Sequence, residues 1–184
     1  MGKRLFNIRR FCFYFCRECV ILLFVTKGVK MNKIDIVRAQ SSDDCNICDQ
    51  MLSQLFKQDS GFDATINPEA MVEGINQAYL KYSSVYLAYA VADDKPVGYL
   101  MGNLKSPKGQ NSLTNIVTLD SIFVARENRD SGVGKALVAD FEKWANDKFA
   151  GNFVIEASAF CANDDGAEFY KSLGFKPVKT IFRK

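Results

Sequence analysis

Between an apolar, β-like run and an amphipathic helical run lies RDSGVGKAL, formed by Arg129, Asp130, Ser131, Gly132, Val133, Gly134, Lys135, Ala136 and Leu137. Glycines at a strand-to-helix junction let backbone N–H groups crowd onto a ligand. The positive end of the following helix favours an anion there, phosphate above all. Spacing separates the devices that use this chemistry. A P-loop requires Gly where Arg129 stands and Ser or Thr where Ala136 stands, and a dinucleotide fingerprint requires a third Gly where Leu137 stands. What remains is R-x-x-G-x-G, carried by Arg129, Gly132 and Gly134. Taken alone, those residues also suit an ordinary tight turn from strand to helix.

The chain has no histidine. That removes Ser-His-Asp and Cys-His nucleophile systems and every His-ligated metal site, leaving carboxylates, Tyr, Lys, Cys, backbone groups or a bound cosubstrate to do chemistry. No metal site is expected. The six cysteines follow no framework spacing and read as reduced thiols, which points to a cytoplasmic location. Cys45-x-x-Cys48 has the spacing of a redox pair, but both thiols fall on the apolar stripe of a helix, where they read as small buried side chains.

The elements that must hold the loop follow from periodicity. Residues 33–38 alternate as a first strand, and Ser41 and Ser42 offer a helix N-cap with Asp43 and Asp44 in the first turn. Residues 57–67 read as a loop, and Pro68 opens a second helix running to about Tyr82. Residues 85–91 and 96–104 form strands around an Asp93-Asp94-Lys95 hairpin signal, and a polar loop at 105–112 follows. Residues 113–124 make the strand that enters the glycine loop; Leu137, Phe141, Trp144 and Ala145 mark one face of the helix that leaves it. A strand at 153–160, a helix at 164–173 capped by Gly174, and a closing strand at 175–182 complete the order β-α-α-β-β-β-α-β-α-β, a single α/β domain.

On these motifs residues 33–184 resemble the GCN5-related N-acetyltransferase (GNAT) family. LDSIFVARENRDSGVGKALVADFEKWA is similar to its central acetyl-CoA motif. The run from Asn163 through Ala167, Phe169 and Tyr170 to Gly174 and Phe175 is similar to the one that follows. The resemblance implies a mixed, mostly antiparallel sheet with helices on both faces, and acetyl-CoA as the acetyl donor to a primary amine. It implies that strands 113–124 and 153–160 splay apart around the pantetheine arm. Backbone at Phe123 and Val124 would meet that arm, and residues Arg129, Asp130, Ser131, Gly132, Val133, Gly134 and Lys135 would meet the pyrophosphate. Asn163 and Tyr170 would also contact the cosubstrate, Tyr170 protonating the departing CoA thiolate. Asp120 and Glu156, one on each splayed strand, are the expected bases for the incoming amine. The acceptor is a small molecule or a peptide, and homodimers occur in the family.

Charge bears on partners. Residues 1–31 carry seven Lys/Arg against one Glu, leaving seventeen basic against twenty acidic residues downstream. A slightly acidic body without a basic stripe argues against nucleic acid and mildly favours cationic acceptors. Residues 1–30 stand outside the domain, 31–184 within it. Cys12, Cys16 and Cys19 have the spacing of an iron-sulfur loop, without the large barrel that would follow one. The apolar stretch at 19–25 is too short to span a bilayer, for which about 20 residues are required. A start at Met31, just ahead of the first strand, is expected.

Overall fold

A computed structural model of the chain describes residues 33–109 and 112–184. The N-terminal cysteine triplet and Met31 lie outside the described residues. Five strands form one sheet in the order β1-β2-β3-β4-β5: β1 (Ile34–Arg38), β2 (Val85–Ala92), β3 (Lys95–Ser106), β4 (Asn115–Val124) and β5 (Phe153–Ala157). The first four pair antiparallel with their neighbours, and β5 joins β4 in parallel. Asp93 and Asp94 close the β2–β3 hairpin at positive φ, which short polar side chains tolerate.

Helices cover both faces. On one, α1 (Ser42–Asp59) places Cys45, Cys48, Met51 and Leu52 on Leu87, Tyr89, Tyr99 and Phe123. On the other, α3 (Val133–Phe149) lays Val133, Leu137, Val138, Phe141 and Ala145 against Ala88, Ala90, Leu100, Val117 and Leu119. Cys45 and Cys48 are free thiols at 0 % exposure, as the apolar stripe predicts. No described helix is long and apolar enough to cross a membrane.

A capping box starts α1. Ser41 Oγ accepts from the Asp44 N–H, while Asp44 Oδ2 accepts from the N–H groups of Gln40 and Ser41 at 2.9 Å. With Tyr89 Oη also donating at 2.9 Å, these bonds hold the Asp44 carboxyl down at about 2. A depressed carboxyl stabilises the fold above its unfolded value of about 3.9 and loses that contribution as the pH falls through the folded value. Asp44→Asn is therefore expected to flatten the fall in stability between about pH 4 and pH 2, as followed by urea unfolding across that window.

Three expected elements differ. The second helix is confined to α2 (Ile75–Tyr79). Asn67 accepts the Glu69 N–H in a local turn, and buried Asp49 takes the N–H groups of Gly74 and Asn76, so the chain ahead of α2 is held by side chains. β5 ends at Ala157 where a strand to residue 160 is expected. No closing strand forms over 175–182. Pro177 withholds a ladder donor, Val178, Ile181 and Phe182 stay exposed, and Arg183 is drawn instead to Asp63 at 2.8 Å. The last helix, α4 (Asp164–Ser172), stands as expected, with Gly174 at φ +88° just beyond it.

Candidate functional site

The site begins with an irregularity in β4. Met101 pairs with Ser121, but the next residue, Gly102, pairs with Leu119, so Asp120 is an extra residue, a β-bulge. Leu119, Ile122 and Val124 pack into the core beneath α3, while Phe123 packs under α1. The bulge thus resets the alternation and turns Asp120 and Ser121 both toward the α1 face, where Ser121 Oγ lies 2.9 Å from Tyr99 Oη. Just there β4 and β5 part. Their ladder ends at Leu119 opposite Ala157, and residues 120–124 have no strand on that side among the described residues. An open edge of backbone N–H and C=O groups therefore runs from the bulge to the glycine loop.

The loop turns on two left-handed residues, Asp130 (φ +58°) and Gly132 (φ +94°). Gly132 is the N-cap of α3 and supplies no side-chain cap, so the first N–H groups of a 17-residue helix have neither a carbonyl partner from a preceding turn nor a capping side chain. Gly134 has a different reason for being glycine: a Cβ there would lie 3.0 Å from the Phe169 ring, so it lets α4 close onto α3. Val133 is a core residue, whereas Lys135 is exposed. Ser131 Oγ donates to the Asn128 carbonyl. Arg129 donates from Nε to the Val124 carbonyl at 3.2 Å and from Nη2 to Gln58 Oε1, tying the loop to the end of α1 and occupying one carbonyl of the β4 edge.

From α4, Tyr170 enters between the rings of Phe169 and Phe175, with centroids 5.4 and 5.5 Å away. Burial first, then the charge of Asp59, pushes its phenol up to about 12, and its hydroxyl has no hydrogen-bond partner among the described residues. Asn163 caps α4, its Oδ1 accepting the Gly166 N–H at 2.9 Å. Asp120 accepts from Asn103 Nδ2; burial raises its pKa, opposed by Thr118, Asn103 and Lys105. Glu156 lies within the paired part of β5, opposite Thr118, with Lys105 Nζ at 2.7 Å. Asp120, Glu156, Asn103 and Lys105 so form a polar row on the sheet face that α1 leaves uncovered. Sequence reading misses Asp59, because the helix runs past its expected end, and Ser121, because the bulge turns it.

The profile of the Acetyltransferase (GNAT) family matches residues 50–175. A search of curated proteins finds no match. Among solved structures, the aminoglycoside N-acetyltransferase AAC(6')-Iy, in complex with the bisubstrate analogue CoA-S-monomethyl-acetylneamine, superposes with a TM-score of 0.67 at 19% identity, over 83% of this chain and 97% of that one. A tetramutant of a Bacillus halodurans protein superposes with a TM-score of 0.71 at 16% identity, over 82% and 98%. The ribosomal-protein-alanine N-acetyltransferase of Brucella melitensis biovar Abortus 2308 does so with a TM-score of 0.59 at 15% identity, over 83% and 100%. These likenesses establish the fold. With the family profile spanning the bulged strand, the glycine loop and the helix of Tyr170, the chain belongs to the GNAT family of acetyltransferases.

Proposed function

We propose that the chain moves an acetyl group from acetyl-CoA to a primary amine by direct attack within a ternary complex. The observation that carries this reading is the open edge of β4, which leads straight into the uncapped N-terminus of α3; the unpartnered hydroxyl of Tyr170 belongs to the helix that meets this junction through Phe169. An extended arm can lie along the backbone at Phe123 and Val124 as an added strand would, meeting the outward N–H of Val124, whose carbonyl Arg129 already holds. The pyrophosphate then meets the N–H groups of residues 130–135, and the Asn163 amide makes a further contact to the cosubstrate. A backbone N–H aimed at the thioester oxygen stabilises the charge that develops there, an effect worth on the order of 3 kcal/mol per donor. Asp120 and Glu156 line the face from which an acceptor approaches, and either can take a proton from it through water.

The acceptor is a small amine or the amine of a peptide. The neighbours stand on both sides: the bisubstrate analogue of one carries acetylneamine, and another is described as acting on ribosomal-protein alanine. The test is release of free CoA thiol from acetyl-CoA with neamine, spermidine and a peptide bearing an N-terminal alanine. Amine-dependent release with no acetyl left on the denatured protein is expected. Stoichiometric acetyl-protein would overturn direct transfer, and tight CoA binding without turnover on any amine would make the chain an acyl-CoA-binding module.

A further inference from the structure

Asp59 is the last residue of α1, and the two flanks of that helix end are tied to the two strands that have parted, one to the end of β4 and the other to the segment just past β5. On one flank, Gln58 accepts from Arg129 of the glycine loop. On the other, the Asp59 carbonyl accepts the N–H groups of Phe62 and Asp63 at 2.9 and 3.0 Å. That turn stacks Phe62 on Phe160, just past β5, with centroids 6.4 Å apart, while Asp63 holds Arg183. The charge of the Asp59 carboxylate acts on two phenols, Tyr170 of α4 and Tyr99 of β3, whose hydroxyl is bonded to Ser121 of β4.

Its own position is electrostatically poor. It stands at the negative end of a helix dipole and is partly buried. No hydrogen bond or ion pair reaches its side chain among the described residues; burial alone raises its pKa, and no cation offsets it. The nearby cations are engaged or turned away: Arg129 bonds Gln58 and Val124, and Lys57 is exposed two residues back on α1. Asp120 and Glu156, by contrast, already have Asn103 and Lys105. A partly buried carboxylate left unpaired gains more from an arriving ammonium than one already satisfied.

We propose that Asp59 receives the acceptor's ammonium group where β4 and β5 separate and takes its first proton. This rests on the acetyl-transfer reading above. The ammonium gives one proton to the Asp59 carboxylate, and the free amine nitrogen forms a bond to the thioester carbon. The C–S bond then breaks and the CoA sulfur takes the Tyr170 proton. The nitrogen's second proton passes through water to restore Tyr170, and Asp59 releases its own to solvent, so one proton leaves per turnover.

The experiment compares Asp59→Asn with the unchanged protein on two nucleophiles. One is whichever of neamine, spermidine and the alanyl peptide has the highest kcat/KM. The other is hydroxylamine, which is already neutral at pH 7 and needs neither an ammonium anchor nor a first proton acceptor. The expected result is a loss on the order of 100-fold in kcat/KM for the amine, a change within about threefold for hydroxylamine, and unchanged acetyl-CoA affinity by calorimetry. Asp59→Glu should restore part of the amine rate. An equal loss on both nucleophiles, or no loss on the amine, overturns the inference while leaving the acetyl-transfer reading intact. No turnover of either nucleophile by the unchanged protein overturns that reading, and the inference with it.

Discussion

Tyr170→Phe is expected to lower kcat by about 100- to 1,000-fold, in the range of a lost general acid, while acetyl-CoA affinity moves by less than about threefold. The substitution removes one oxygen and keeps the ring that packs between Phe169 and Phe175, so α4 should hold its place. The chemistry asks for a group that stays protonated until the C–S bond breaks. A phenol pushed up to about 12 does so throughout the physiological range. Against a free thiol of about 8.5 the transfer would run uphill. The thiolate, however, would leave into the same apolar surroundings that raise the phenol, and burial raises the proton affinity of both. Since the acid form persists to about pH 12, the kcat profile should show no Tyr170-dependent fall below about pH 10. Steady-state kinetics with calorimetry of acetyl-CoA binding decide the matter. An unchanged kcat would return Tyr170 to the packing of the helix.

How much of this was legible differs from residue to residue. The glycine loop could be read because its information is local: three positions and one junction distinguish it from the other phosphate loops. The structure nevertheless divides its glycines by reason, Gly132 for a left-handed backbone and Gly134 for the ring of Phe169, which lies far along the chain. The bulge left a trace in Leu119-Asp120-Ser121-Ile122, where two adjacent polar residues interrupt a largely apolar strand. That trace bears on the site, since a strict alternation would put Asp120 and Ser121 on opposite faces. The short α2 depends on Asp49, a carboxylate 25 residues away from the N–H it accepts, and no periodicity carries such a contact. The closing strand failed for a similar reason. Its apolar residues Phe175, Val178, Ile181 and Phe182 suit a strand, but a strand exists only where a partner's ladder continues, and β5 stops at Ala157 while Arg183 is bound to Asp63. Asp59 was hidden because polar residues at a helix end look like the start of any loop.

The scaffold behind the bulge makes the second large effect predictable. Phe141→Ala is expected to cost about 3 to 5 kcal/mol, read as a lower urea midpoint and a melting temperature lower by roughly 10 °C. Phe141 is fully buried, with centroids 5.1 Å from Tyr86 and 5.6 Å from Trp144, and Tyr86 is itself fastened by its hydroxyl to Asp140 at 2.7 Å. Its ring also fills the space a side chain at Gly102 would need: a Cβ there would lie 2.6 Å from Phe141 and 2.5 Å from the Thr118 carbonyl. Gly102→Ala alone should therefore destabilise as well. The two changes together should cost less than their sum, because removing the ring makes room on one side, while the Thr118 backbone still opposes the methyl. Strict additivity in the double-mutant cycle would show that the ring and the glycine do not share this space. The consequence reaches the chemistry, since Gly102 pairs with Leu119, the last residue before the bulge. Slack beneath that pair lets β4 shift where Asp120 and Ser121 are presented, so acetyl transfer by Phe141→Ala should fall already at temperatures where the protein remains folded. An undiminished rate there would mean that the bulge is held by its own strand pairing and not by the core under α3.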